Sequence, residues 1–584
     1  MSYFDDASLV MIPSGYKDQK VYSVKPIDGT GDLTFTRSND TATRVNSSGL
    51  IEKVRTNLFA YSNEFDNAYW TKPQSSLVSG QPDPNGGTTA FKLVEDTSTN
   101  FHWLLKSGPL SGAGEWGLSI FAKPAGRNYI SIGNASIGEY SYFNLLNGTV
   151  VSSHPNAIGK IEAAGNGFYR CSVTLLTSSD SATGFFISTD GSTRSYTGDG
   201  TSGLIIFGAQ LETGVTTDYI ATTSAAVSVG PVANLPRLDY SGGATCPSLL
   251  LEPQRTNAAL WSESFDNGHW AKYAGAIVTA NTAISPDGYQ NADTLTTTAG
   301  QEIYASMGGK AASPIAYTFS VFAKYNNAAQ FRIVSSDFAT GSCTGIFNLQ
   351  TGTASFYEGP NWSNTSVKME NYGNGWYRCI MTSTSPATTG LYISLLTPTS
   401  GSAYIYGMQT EQGAYATSYI NTLSAAVTRG ADAAYRTSAS AIIGQTEGTL
   451  FVDINISHIV DNEAIGTINS GGYASNTTFQ RLGNTIQFVR SSATQSGASV
   501  VTSSSISVGR YKMAIAYKSG DTAFFLNGVQ VGTTQTETFT NGTLSVLRLG
   551  GDAIGALPIS DTYNQTLLFK TRLSNADLAT LTTI

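Results

Sequence analysis

LSIFAK, ending at Lys123, alternates apolar and polar side chains, and so does FSVFAK, ending at Lys324. A period of two marks a strand with one face buried. IIFGAQLE, from Ile205, and YIYGMQTE, from Tyr404, read the same way. So do TLFVDINI from Thr449, YKMAIAYKSGDTAFFLNGVQVG and LSVLRLGG further on. Asn-Gly steps at Asn147-Gly148, Asn166-Gly167, Asn374-Gly375 and Asn527-Gly528 punctuate these runs, and such pairs favour tight hairpin turns. No stretch of the two repeats described next keeps a 3.6-residue apolar period for three turns. One short helix is expected near the C-terminus, where Ser574-Asn-Ala-Asp577 has the form of a capping box. The pattern predicts an all-β chain.

The strands fall into two copies of one module. RTNLFAYSNEFDNAYWTK begins at Arg55 and RTNAALWSESFDNGHWAK at Arg255. GNGFYRC ends at Cys171 and GNGWYRC at Cys379; SAAV recurs from Ser224 and Ser424. The offset drifts from 200 to 208 and returns to 200, as expected when strands are kept and loops vary. Many short strands in each copy predict a jelly-roll sandwich. The expected layout is an N-terminal attachment segment over 1–54 and copy one over 55–230. A structured connector over 231–254 and copy two over 255–430 follow, then a linker over 431–447 and a third sandwich over 448–584.

At 584 residues the chain is long enough for three or four cores. Only 13% of it is charged, the net charge is −8, and no basic cluster stands out, which disfavours nucleic acid as a partner. No apolar run approaches the roughly 20 residues of a membrane span. The opening MSYFDDASLVMIPSGYKDQK lacks a basic-then-apolar pattern, so no secretory signal is expected. Cys171 and Cys379 occupy matching apolar positions and read as buried thiols; with Cys246, Cys343 and four scattered histidines they make no zinc pattern. No nucleophile motif, phosphate loop or paired-carboxylate phrase appears, so no catalytic residue is assigned and no enzyme is expected.

SLLLEPQRTN, ending at Asn257, followed by a W-S-x-x-F-x-N-x-x-W stretch and preceded by Pro236–Tyr240, resembles the carbohydrate-binding-module-like jelly rolls of tailed-bacteriophage virion proteins. Thr449–Ile456, the AIAYKSGDTAFFLNGVQVG hairpin and the closing LLFKTRLSNADLATLT resemble the laminin-G/concanavalin-like sandwich, with Asp577 where that family usually has Glu. The resemblance implies a structural or adhesive component of a phage particle, a fibre or a capsid or tail decoration. It would be made in the host cytoplasm and assembled with other virion proteins. Host-surface polysaccharide and a homo-oligomer, a trimer above all, are the implied partners. A tailspike-like polysaccharide depolymerase and a bacterial surface adhesin are the alternatives.

The duplication doubles as an alignment for candidate sites. Sugar-binding sandwiches stack sugar rings on indoles, and Trp362 has Ala157 opposite it, so it is the leading ligand contact; Trp103, opposite Tyr304, is the other. Residues shared by both copies read as scaffold: Asn57 and Asn257, Trp70 and Trp270, and Arg55 and Arg255, each arginine expected to clamp Glu212 or Glu411. Asp66 and Glu212 are the candidate ligands for a structural Ca²⁺, the only cofactor considered, although no DxDxDG-like loop is present.

Overall fold

The computed structural model describes residues 3–110, 114–177, 181–308, 310, 312–337, 341–387, 389–460, 462–491 and 499–584. It is built almost wholly from antiparallel strands. The chain divides into two compact units, Val54–Gly230 and the combination of Met1–Lys53 with Pro231–Ile584. Among the described residues no helix is long and apolar enough to cross a membrane.

The first unit is one sandwich. Its six-stranded sheet runs, in spatial order, Ala157–Ala163, Tyr169–Thr177, Gly114–Ala125, Gly203–Thr213, Ala90–Glu95 and Ser75–Gln81. The facing sheet runs Trp103–Leu110, Ser181–Ser188, Tyr129–Asn134, Glu139–Asn144 and Thr149–Ser153. The alternation in LSIFAK points Leu118, Ile120 and Ala122 inward, where they meet Ile130, Ile132, Phe143, Phe185 and Ile187 of the other sheet. In the second unit, residues 255–430 repeat this plan, with Phe319, Val321 and Ala323 facing Phe331, Ile333, Phe347 and Ile393.

Asn57 and Asn257 explain why both copies keep Arg-Thr-Asn. The Asn57 amide donates to the Ala209 and Ile220 carbonyls and accepts from the Phe59 and Leu211 N–H groups. Asn257 does the same with Met408, Ile420, Ala259 and Thr410. Each asparagine is fully buried and uses its whole hydrogen-bonding capacity to tie the chain's entry to its exit. Trp70 and Trp270 lie in the cores and donate to the carbonyls of Tyr61 and Trp261.

The third sandwich is assembled from three separated stretches of chain. Leu9–Met11 and Ser248–Leu251 both pair with Asp561–Phe569, and Leu33–Thr36 pairs with Ala433–Arg436. Leu9, Val21, Leu33, Phe35, Leu249 and Leu251 are buried in one cluster with Leu450, Phe488, Ile515 and Leu547. Residues 1–54, expected to be an attachment segment, supply strands to this sandwich, and the expected linker over 431–447 contains one of its strands, Ala433–Arg436. Their short strands carry few side chains each, which hides the alternation. At the hairpin turn, Asn527 and Gly528 both have positive φ, as that turn requires. Ser574 caps the terminal helix Asn575–Thr582 by accepting from the Asp577 N–H.

Where these stretches cross, five charged side chains are buried together. Asp432 takes Arg37 and Arg237; Glu252 takes Arg237 at 2.6 Å and Arg429 at 3.0 Å. Arg37 also donates to the Pro231 and Val232 carbonyls, and Arg429 to that of Pro253. Burial alone would raise the Glu252 carboxyl, but Arg429 and Arg237 outweigh it and hold it down to about 2. Glu252 belongs to the SLLLEPQRTN phrase, so part of that phrase is the join between the sandwich and copy two.

Candidate functional site

On the first sandwich, Leu104, Phe185, Ile130 and Phe143 face the core. Their neighbours Trp103, Phe186, Ser131 and Tyr142 are cross-strand partners in one row on the outer face. The Trp103 and Phe186 rings stack with centroids 4.4 Å apart and planes 22° apart. Gly184 makes this possible, since a Cβ there would come within 2.5 Å of the Phe186 ring and 3.1 Å of Trp103. The rings lean over the strand where a side chain is missing.

Phe101, 38% exposed, meets Trp103 and Phe186 from the side, at 6.3 and 5.7 Å between centroids. Tyr140 packs edge-on against Phe186 at 5.1 Å. Above them lies Arg194, its guanidinium carbon 3.6 Å from the Tyr140 centroid, 5.2 Å from Phe186 and 5.6 Å from Phe101. Phe186 and Tyr140 are buried beneath this cover, whereas Trp103 and Arg194 keep part of their surface in solvent. Ser131, in the same row, keeps a buried hydroxyl with no hydrogen-bond partner.

Arg194 rides on a segment that copy one alone possesses. Cys171 and Gln210 are 39 residues apart, but their counterparts Cys379 and Gln409 only 30. By register, Tyr304, Tyr392 and Ser394 hold the places of Trp103, Gly184 and Phe186 in copy two. The extra segment is firmly held. The Asp190 carboxylate accepts from the backbone and hydroxyls of Ser192 and Thr193, and the two backbone N–H groups pull it down to about 2. Glu95 accepts from Arg127, the Tyr196 hydroxyl and the Asp199 N–H. Burial opposes the charge on Glu95, yet these bonds leave its carboxyl below the usual range.

The other candidates fall elsewhere. Trp362 is 4% exposed and belongs to the core of copy two, so it is not a surface contact. It fills with an indole the place that the buried Ala157 holds in copy one. Glu212 and Glu411 do not act as the expected arginine clamps. Glu212 accepts from Gln210 and from the backbone and hydroxyl of Thr217; Glu411 accepts likewise from Thr417. Arg55 lies 4.0 Å from Asp218, and Arg255 stacks over Tyr415 at 5.0 Å. The reason is local: a turn leaving the same strand offers donors closer than the arginine. Asp66 is exposed while Glu212 is buried and already hydrogen-bonded. Among the described residues no three His, Cys, Asp or Glu side chains group to hold a metal. The signal for Arg194 was the length difference between the copies, not a substitution at a matched position.

No protein-family model matches the chain, and no curated protein matches it. Among solved structures, the CBM40 domain of Ruminococcus gnavus IT-sialidase bound to alpha2,3 sialyllactose is similar at 16% identity. The match covers 26% of this chain and 91% of that one, with a TM-score of 0.23. The NanB sialidase of Streptococcus pneumoniae is similar at 11% identity over 25% of this chain and 26% of that one, TM-score 0.22. Domain 4 of AbnA, an extracellular arabinanase of Geobacillus stearothermophilus, in complex with arabinotriose, is similar at 10% identity over 29% and 82%, TM-score 0.22. At these scores no ligand or activity passes from those proteins to this chain.

Proposed function

We propose that the chain is a non-enzymatic glycan-binding protein, built as a structural or adhesive component of a tailed-phage particle. The observation that carries the binding is the partly exposed Trp103 ring, stacked on Phe186 and bordered by Phe101 and Arg194. Such a platform offers a sugar ring an apolar face and an adjacent hydrogen-bond donor. The particle assignment rests on the resemblance in SLLLEPQRTN and the following aromatic stretch. Three sandwiches on one chain suit repeated weak contacts whose avidity exceeds single-site affinity.

The test is binding of the full chain to bacterial surface polysaccharides. Trp103→Ala should lower affinity about tenfold or more while the fold is kept, and no oligosaccharide should be released from the polysaccharide. Unchanged binding by Trp103→Ala refutes the site. Mass spectrometry of purified particles checks the assignment, and absence of the chain from them refutes it.

A further inference from the structure

Arg194 is held in place by rings rather than by a counter-ion. Among the described residues no Asp or Glu forms an ion pair with it, although Asp199 of the same segment pairs with Arg127. Asp190, the nearest acid along the chain, spends its carboxylate on Ser192 and Thr193. The guanidinium lies over the Tyr140 ring and also engages the Tyr140 hydroxyl, and its carbon is 5.2 Å from Phe186, so its other N–H donors sit beside the Trp103–Phe186 stack. The planar fork of a guanidinium matches a carboxylate with two parallel hydrogen bonds. The cation is also attached to an added segment tied to the buried Glu95 carboxylate by the Tyr196 hydroxyl and the Asp199 N–H. Its position is thus fixed before any ligand arrives, which lowers the entropy cost of binding.

We infer that the platform selects acidic saccharides, a sugar ring lying on Trp103 while its carboxylate is taken by Arg194. This rests on the glycan-binding reading above and names the chemical class of its ligand. The second copy, without the added segment, should show no such preference.

The experiment uses the full chain and four probes: oligogalacturonate and oligomannuronate, each beside its carboxyl-reduced, neutral counterpart. Calorimetric titration at low salt should show each acid binding at least about tenfold tighter than its neutral partner. Arg194→Gln, whose amide keeps a donor but not the charge, should abolish that difference, lowering affinity for the acids about 10- to 100-fold and for the neutral sugars far less. Arg194→Lys, which keeps the charge but not the fork, should restore part of it. An unchanged melting temperature in both variants shows that the segment still folds. Equal affinity for acidic and neutral probes overturns the inference and leaves the platform standing as a neutral-sugar site; a preference that survives Arg194→Gln overturns it by removing Arg194 as the carboxylate partner. Failure of all four probes to bind overturns both readings.

Discussion

Replacing Trp362 tests whether one-copy aromatics mark binding or packing. Its indole lies in the core of copy two, and truncating a buried Trp to Ala costs about 3–5 kcal/mol through lost transfer energy and the cavity left behind. Trp362→Phe behaves differently. It keeps a ring and removes the Nε1–H, which is buried without an acceptor. An unsatisfied buried donor costs about 1–3 kcal/mol, so its removal offsets much of the lost volume. The two variants should therefore separate widely in urea unfolding followed by circular dichroism. With a slope of about 3 kcal/mol per molar, Trp362→Ala should lose about 1–1.7 M in midpoint and Trp362→Phe less than half of that. Neither should change saccharide affinity. A Trp362→Ala protein that unfolds at the wild-type midpoint but binds saccharide weakly would refute the packing argument.

Asn257→Ala leaves two carbonyls and two N–H groups buried without partners, and Asn57→Ala does the same in its own sandwich. Each should cost about 2–4 kcal/mol by calorimetry, and a loss below about 1 kcal/mol in both would contradict the entry-to-exit tie. Glu252 predicts acid sensitivity. Its folded pKa of about 2 lies below its unfolded value, so its stabilisation is fully present above pH ~4.5 and drains away as pH falls towards 2. Glu252→Gln should flatten the loss of stability between pH ~5 and ~3, and an acid limb identical to wild type would exclude this cause.

The alternation in LSIFAK and FSVFAK was enough to place the inward residues, because a strand with one wet face must repeat every two positions. Strand partnership carries no such mark. Leu9–Met11 is buried at every position and only three residues long, so its sequence does not reveal that Asp561–Phe569 is its neighbour. The site was half legible for a related reason. Trp103 was a candidate, but its exposure depends on Gly184 across the strand and on Arg194 in a segment with no counterpart. Comparing matched positions favoured Trp362, where the copies merely pack the same space with different volumes. The difference in length between Cys171 and Gln210 was the stronger sign, since added chain must be ordered at an entropy cost and here is held by its own polar contacts.

The pairing of Leu9–Met11 with Asp561–Phe569 also sets a timetable for synthesis. About 550 residues separate the partners, so at ~5–20 residues per second the first strands wait on the order of half a minute to two minutes. During that interval both repeated sandwiches can emerge and close from their own residues. The apolar side chains of Leu9, Val10 and Met11 meanwhile lack the strand they pair with. Of the three stretches that make the third sandwich, one is the earliest made and one the last made, so this sandwich is the final one to be completed.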